Sequence, residues 1–342
     1  MIRLLFATLL FACGIANAAT PLRMLIASPR DVSAEIAQDL AALAAAPADI
    51  DLEAVPALGS DALTRLRYER SISLAIVRAD VYQGLLDAAV QGDAEAIDII
   101  RPLRVVMPLY VEEIAFIVRA DAPFAYIDEI GDARVNRGPR GSSTAQTMTT
   151  FNRLLGQVPA SAASLELTIE DALVKLITDR SIDVVPVVAA QPAAVLSGMK
   201  PEAKKFVKVL RLSPRHPSSD RLLSVYRPST IRAKSYPNLL HEDLPALGVQ
   251  AILVAHDHES SAARDALARF ARSLCRNLPA LKSHGHAKWR EVGGSLPDLG
   301  TGWIYHSATS KEINLCIADR AAQSGAVDAA CTQEQRQAGA CR

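Results

Sequence analysis

Short apolar runs alternate along the chain with segments whose apolar residues recur every three or four positions. Leu22 to Ile26 is a mainly apolar run of strand length. The following "SAEIAQDLAALAAA" places Ile36, Leu40 and Leu43 on one helical face. Asp49 to Val55 alternates, with Ile50, Leu52 and Ala54 on one side, which predicts a second strand. Asp61 to Tyr68 reads as a helix with Leu63 and Leu66 inward. "SLAIVRADVYQGLL" reads as a strand ending near Val77, a loop at Arg78-Ala79-Asp80, and a helix. Beyond it, "LRVVMPLY" and "EIAFIVRA" predict two strands, and a turn around Gly138 feeds a helix that runs through Leu155. "LELTIEDALVKLITDRSIDVVPVV" predicts strand, helix, strand; "DRLLSVYRP" and "VQAILVAHDH" predict two more strands. "SAARDALARFARSL" is an amphipathic helix, and a helical tail follows Tyr305. Alternation of this kind predicts an α/β protein, with a mostly parallel sheet and helices on its faces.

The ends of the chain change this picture. Residues 1–18 carry Arg3, an apolar run from Leu4 to Cys13 and the small-residue site Ala16-Asn17-Ala18, the pattern of a secretory signal peptide cut after Ala18. Leu10-Phe11-Ala12-Cys13 loosely resembles a lipoprotein box, which makes an anchor at Cys13 a minor alternative. The expected location is therefore the periplasm. Without Arg3 the mature chain has 36 basic and 37 acidic residues, a balance that argues against nucleic acid or an anionic membrane surface as partner. The most apolar internal stretch, Ile182 to Met199, contains Asp183, Pro186, Gln191 and Pro192 and reads as buried strand plus loop.

Four cysteines remain after processing: Cys275, Cys316, Cys331 and Cys341. An even number in an exported chain favours disulfides, with three connectivities open. Proximity in sequence alone suggests Cys275–Cys316 and Cys331–Cys341, a staple for the tail.

The stretch "RVNRGPRGSSTAQT" carries the first candidate chemistry. Gly138 and Gly141 allow close backbone approach, Ser142, Ser143 and Thr144 supply hydroxyls, and Arg140 supplies charge. A helix N-terminus so equipped suits a carboxylate or phosphate; an ordinary N-cap would use the same residues. A nucleotide P-loop needs a lysine that is missing here. Arg78 and Asp80 stand at the end of a predicted strand, where ligands of open α/β sheets bind, although they could simply pair with each other, with Asp80 capping the next helix. Arg30, after the first strand, is a second cation. The pairs His256/His258 and His284/His286 read as loop residues more readily than as metal ligands. The patterns GxSxG and HExxH are absent. The expectation is a protein that is not an enzyme and carries no cofactor and no metal.

Taken together, "SISLAIVRADVYQGLL", "LRVVMPLYVEEIAFIVRADAPFAYIDEIGDARVNRGPRGSST", "LVKLITDRSIDVVPVVAAQPAAVL" and "YPNLLHEDLPALGVQAILVA" resemble the TAXI family. Its members are extracytoplasmic solute receptors of tripartite ATP-independent (TRAP) transporters. The resemblance runs from about Leu22 to Glu312. It implies a two-lobed type II periplasmic binding-protein fold with parallel-type sheets and a hinge, plus a C-terminal cysteine-containing extension. Lobe one would comprise 19–115 and 226–306, lobe two 116–225, and the extension 307–342. The implied ligand is a small anionic solute, a carboxylate or amino acid, delivered by a monomer to an ion-driven permease. Carried over by motif, the binding residues would be Arg78, Asp80, Tyr110, Gly141, Ser142, Ser143, Thr144 and Gln191, with Arg30 and Arg140 as added cations. The chain departs from the family at its first loop, where a "GSTGGTYY"-like run is replaced by "IASPRDVSAEIAQDL", and at Ala190-Gln191-Pro192 in place of "GGxP". Those departures suit a second reading, a sensory or interaction module with an altered cleft. A binding protein of the related thiamine-precursor type, or an exported enzyme, is a third.

Overall fold

A computed structural model describes residues 19–29, 31–57, 61–156, 165–213, 215–257 and 260–330. The signal-peptide segment, Cys13, Arg30, His258 and the expected Cys331–Cys341 pair lie outside the described residues. The first half of the chain runs β1 (Thr20–Ile26), α1 (Val32–Leu40), β2 (Ile50–Pro56), α2 (Asp61–Tyr68), β3 (Leu74–Arg78), α3 (Ala79–Val90), α4 (Ala94–Ile100) and β4 (Leu103–Arg119). It continues through α5 (Ser143–Leu155), α6 (Ile169–Ile177), β5 (Val184–Ala189), α7 (Ala194–Ser197), β6 (Val207–Val209) and α8 (Pro217–Leu223). β7 (Arg227–Ile231), β8 (Leu244–His256), α9 (Ser261–His284) and α10 (Ser307–Ala330) complete it.

The strands join in the order β2-β1-β3-β8-β4-β5, with β6 added on β4 and β7 on β8. β1 pairs in parallel with β2 and β3. The pairs β3–β8, β8–β4, β4–β5, β4–β6 and β7–β8 are antiparallel, so the sheet is mixed and not mostly parallel as the alternation of strands and helices predicts, because the long strands β4 and β8 run against their neighbours. The two expected strands of "LRVVMPLYVEEIAFIVR" are one 17-residue strand, β4, buried on both faces along most of its length. Its pairing with β8 slips by one residue between Val105 and Met107 and again between Pro108 and Val111. Such bulges bend a strand and re-aim its side chains, and the second accommodates a proline that cannot donate to the ladder.

β4 and β8 run through both halves of the molecule, and each half buries both faces of its sheet. In one half, α1, α9 and Trp289 pack on β1 and the outer part of β8, while α2, α3 and α4 cover the opposite face. In the other half, α6 and the segment from Ile231 to Ala246 cover one face, while α5, α8 and Tyr226 cover the other. This is the two-lobed α/β architecture that the resemblance implies.

Local chemistry explains where the helices begin. Asp31 caps α1, its side chain accepting from the Ser33 N–H at 2.8 Å. Ser142 caps α5 by accepting from the Ala145 N–H, and Gly156 closes the same helix in the left-handed conformation. Replacing Ser142 by alanine is expected to lower stability by about 1 kcal/mol, readable as a shifted urea midpoint. One expected strand is in error: "DRLLSVYRP" is helical through Leu223, because His216 caps the turn and Pro217 occupies the first helical position. Only the residues from Arg227 onward join the sheet.

The C-terminal extension is stapled as expected: Cys275 of α9 and Cys316 of α10 form a disulfide. The sulfurs sit in a small apolar cluster with Ala271 and Ile313. Among the described residues, no helix is long and apolar enough to cross a membrane.

Candidate functional site

β1 and β3 are parallel neighbours; β3 passes directly into α3, whereas α1 begins only at Val32, after the end of β1 at Ile26. The N-terminus of α5 approaches from the other lobe. Asp31, Ser33, Arg78, Glu112 and Ser143 converge there around a crevice of about 30 Å³, room for roughly one water molecule. The floor is already occupied by the protein's own groups. Arg78 Nε donates to Glu112 Oε2 at 2.6 Å, with only 10% and 6% of the two side chains exposed. Arg78 Nη2 donates to the Val188 carbonyl of β5 at 2.9 Å. Arg78 thus ties lobe one to lobe two.

Three carboxylates, Glu112, Asp80 and Asp31, share this one guanidinium. Burial works against the Arg78 charge, yet the three acids together raise its pKa. Each acid in turn has only part of a cation. Burial pushes Glu112 up to about 7 despite Arg78. Burial likewise raises Asp80, against the pull of Arg78 and of the Thr147 and Tyr226 hydroxyls. Tyr110 is fully buried beside Glu112, and burial keeps its hydroxyl neutral.

Asp80 does not cap α3. The helix starts at Ala79 with Arg78 in the cap position, which places Asp80 in the first turn with its side chain inside the protein. Its Oδ2 accepts from the Tyr226 hydroxyl at 3.2 Å. Tyr226 also donates toward the Thr147 carbonyl of α5. Asp87 of α3 pairs with Arg153 of α5 at 2.6 Å. The Asp80–Tyr226 and Asp87–Arg153 contacts give the seam between the lobes two polar ties besides its apolar packing.

The structure gathers some of the expected residues and disperses others. Arg78 and Ser143 line the crevice, and Asp80 lines a larger cavity beside it. Arg140 is 87% exposed on its side chain and pairs with Glu166. The Ser142 hydroxyl is engaged by the helix it caps. Gly141 adopts a positive φ of 72° with open space around it. Gly138 is more constrained: φ is +78°, and an added Cβ would lie 3.1 Å from both Ser142 Oγ and Thr144 Cβ. Thr144 therefore packs on this turn. Gln191 bridges strands, donating to the Thr230 carbonyl and accepting from the Arg232 N–H.

The histidines also have local partners. His286 caps the turn at Lys288 through Nδ1, and its N–H donates to Asp39; His284 Nδ1 lies 2.8 Å from Ser283 Oγ. Among the described residues no group of three or more His, Cys, Asp or Glu could hold a metal ion.

Sequence reasoning missed Glu112, Asp31, Ser33 and Tyr226. For Glu112 the signal was present: Glu112-Glu113 is a pair of acids inside an otherwise apolar strand. Consecutive strand residues face opposite sides of the sheet, so two adjacent buried acids need two cations. Glu112 finds Arg78, and Glu113 finds Lys288 at 3.1 Å. Lys288 lies 175 positions along the chain from Glu113, and no spacing rule links the two.

Residues 32–294 match the model of the NMT1-like family. No protein of curated function matches the chain. Among solved structures, the periplasmic binding protein BugD has 13% sequence identity and a TM-score of 0.48, covering 88% of this chain and 95% of that one. A TctC solute-binding protein from Polaromonas has 14% identity and a TM-score of 0.43, covering 88% and 98%. The ligand-binding component of an ABC-type import system from Staphylococcus aureus has 12% identity and a TM-score of 0.42, covering 88% and 92%. What these proteins bind is a property of theirs.

Proposed function

Because this chain belongs to the NMT1-like family, we propose that it is an extracytoplasmic receptor that captures a small solute between its two lobes. Arg78 is the observation that carries the reading. It stands at the crevice end of a lobe-one strand, is nearly buried, and bonds to a carbonyl of lobe two. A solute entering here must part the lobes and exchange those bonds for its own, which is the hinge mechanism of such receptors. The resemblance to TAXI proteins adds the rest of the proposal: export to the periplasm, a monomer, and delivery to a TRAP-type permease. It also adds a carboxylate as ligand, with Arg78 and Ser143 as its anchors.

Thermal unfolding in the presence of carboxylates, keto acids, amino acids and amines tests the receptor reading. A solute at 100 times its Kd adds about 2.7 kcal/mol, so at least one chemical class is expected to raise Tm by several degrees. A panel that leaves Tm unchanged throughout would remove the reading.

One observation favours the alternative of a sensory module. The crevice floor is filled by Arg78 and Glu112 without any solute, and its room of about 30 Å³ suits water better than a metabolite. A protein used in that way would co-purify with a receptor, bind no solute from the panel and need no permease.

A further inference from the structure

The crevice between the lobes is closed over an unbalanced set of charges. Among the described residues, Arg78 is the one cation that lines it, and Asp31, Asp80 and Glu112 act on it together. Two of these acids are held by other bonds. Asp31 Oδ1 accepts from the Ser33 N–H at the start of α1, and Asp80 Oδ2 accepts from the Tyr226 hydroxyl. Glu112 is the one bonded to the guanidinium. Arg78 Nη1 stays buried without a hydrogen bond of regular geometry, although three acids surround it. Neither aspartate can turn towards Arg78 without giving up its own bond, so both act on Glu112 as fixed like charges.

The remaining surroundings of Glu112 add nothing that titrates near neutrality. β4 brings the Tyr110 hydroxyl, which burial keeps neutral. α5 and β5 bring Ser143 and the Val188 carbonyl, and the rest of the lining is apolar or hydroxyl-bearing. Glu113, the next residue of β4, points to the opposite face and pairs there with Lys288. Burial and the two aspartates therefore hold the Glu112 carboxyl up at about 7, against the pull of Arg78. Parting the lobes breaks the bond from Arg78 to Val188 and lets water reach the pair. A carboxyl raised by burial returns towards its ordinary value once hydrated. The closed form thus holds the proton more tightly than the open form, and acid favours closing.

We propose that Arg78 and Glu112 form a proton-operated latch: the lobes close with a proton on Glu112 and part as that proton leaves. This rests on the receptor reading, from which it takes the parting of the lobes, and it names a regulation of the same crevice. A carboxylate solute on Arg78 would add a fourth negative charge to the group, so its capture should bring a proton with it.

Amide hydrogen exchange of the whole mature protein, followed by mass spectrometry without solute, tests the latch. Comparing proteins at one pH cancels the chemical pH dependence of exchange. Glu112→Gln keeps a neutral acceptor beside Arg78. At pH 8.5 it is expected to protect the crevice peptides 76–84 and 140–148 at least about tenfold more than wild type; at pH 5.5 the two should match. Asp31→Asn keeps the cap of α1 and removes one fixed charge. It is expected to act in the same direction, less strongly, and it decides the matter if Glu112→Gln does not fold. Crevice exchange should also ignore low urea, as local opening does, while exchange within β8 responds to it. Equal protection of wild type and variants at pH 8.5, a difference just as large at pH 5.5, or crevice exchange as urea-sensitive as that of β8 overturns the latch and leaves the receptor reading to the solute panel. A latch that behaves as expected beside a blank panel keeps this inference and removes the receptor.

Discussion

Arg78→Ala is expected to destabilise the protein by about 3–5 kcal/mol at pH 8, because buried Glu112 loses its cation and must either stay charged and unpaired or take up a proton at a pH above its ordinary range. The loss should be much smaller near pH 5.5. Glu112 already titrates at about 7 in the folded protein, against an ordinary value of 4.5. Its folded form holds the proton more tightly than its unfolded form does. That advantage is fully present below about 4.5, fades as the pH rises towards 7, and is gone above it. Removing Arg78 takes away the main force that lowers this value, so the variant's Glu112 stays protonated to a still higher pH. At pH 5.5 it is then neutral, and a neutral carboxyl needs no cation. Urea unfolding of wild type and variant at both pH values reads this directly, and a loss equal at the two pH values would contradict it. In the wild-type protein the same linkage means that Glu112 contributes a fall in stability between pH 5 and 7. Glu112→Gln should flatten that fall.

The second large effect is expected at the other end of the molecule. The Cys275–Cys316 bond closes a loop spanning 41 positions. A cross-link of that length restricts the unfolded chain by about 4 kcal/mol on the loop-entropy account. Cys275→Ser with Cys316→Ser should forfeit up to that amount. A polar tie between the two helices is Arg272–Glu312 at 2.6 Å, a pair with an exposed arginine worth at most about 1 kcal/mol. Without the disulfide, α10 should therefore undock more readily than the sheet unfolds, and trypsin should cut at Lys311 well before it cuts within α9. Equal protection of Lys311 in the wild type and the double variant would mean that apolar packing alone holds the extension.

These two predictions drew unequally on the sequence. Cys275–Cys316 was suggested by proximity in sequence, one of three connectivities left open, and the structure contains that pair. Arg78 was marked by its place at a strand end, but its partner was not. The choice between Asp80, two residues away, and Glu112, 34 residues away, depends on how β3 and β4 lie on either side of β8. The bulge between Pro108 and Val111 adds a residue to β4 just before Glu112, and such a slip decides which face an acid meets. Likewise the Gly138 turn was read correctly as a helix start, although Ser142 was not singled out among its hydroxyl residues as the cap. Which of its residues would look into the crevice was not visible, and only Ser143 does.

The amino-acid sequence alone determined the alternation of strands and helices, most helix starts and hence the α/β class, together with the set of cysteines from which one staple is made. All of these depend on residues close together in the chain: periodicity, caps, glycines that permit positive φ, and cysteine spacing. Tertiary structure alone decided which charges share a cavity. Four segments far apart in sequence bring Asp31, Arg78 with Asp80, Glu112 and Tyr226 together, and burial then shifts Asp80, Glu112 and Tyr226 towards their protonated forms. A charge in a low-dielectric interior responds to every neighbour within several ångströms, and those neighbours are chosen by packing.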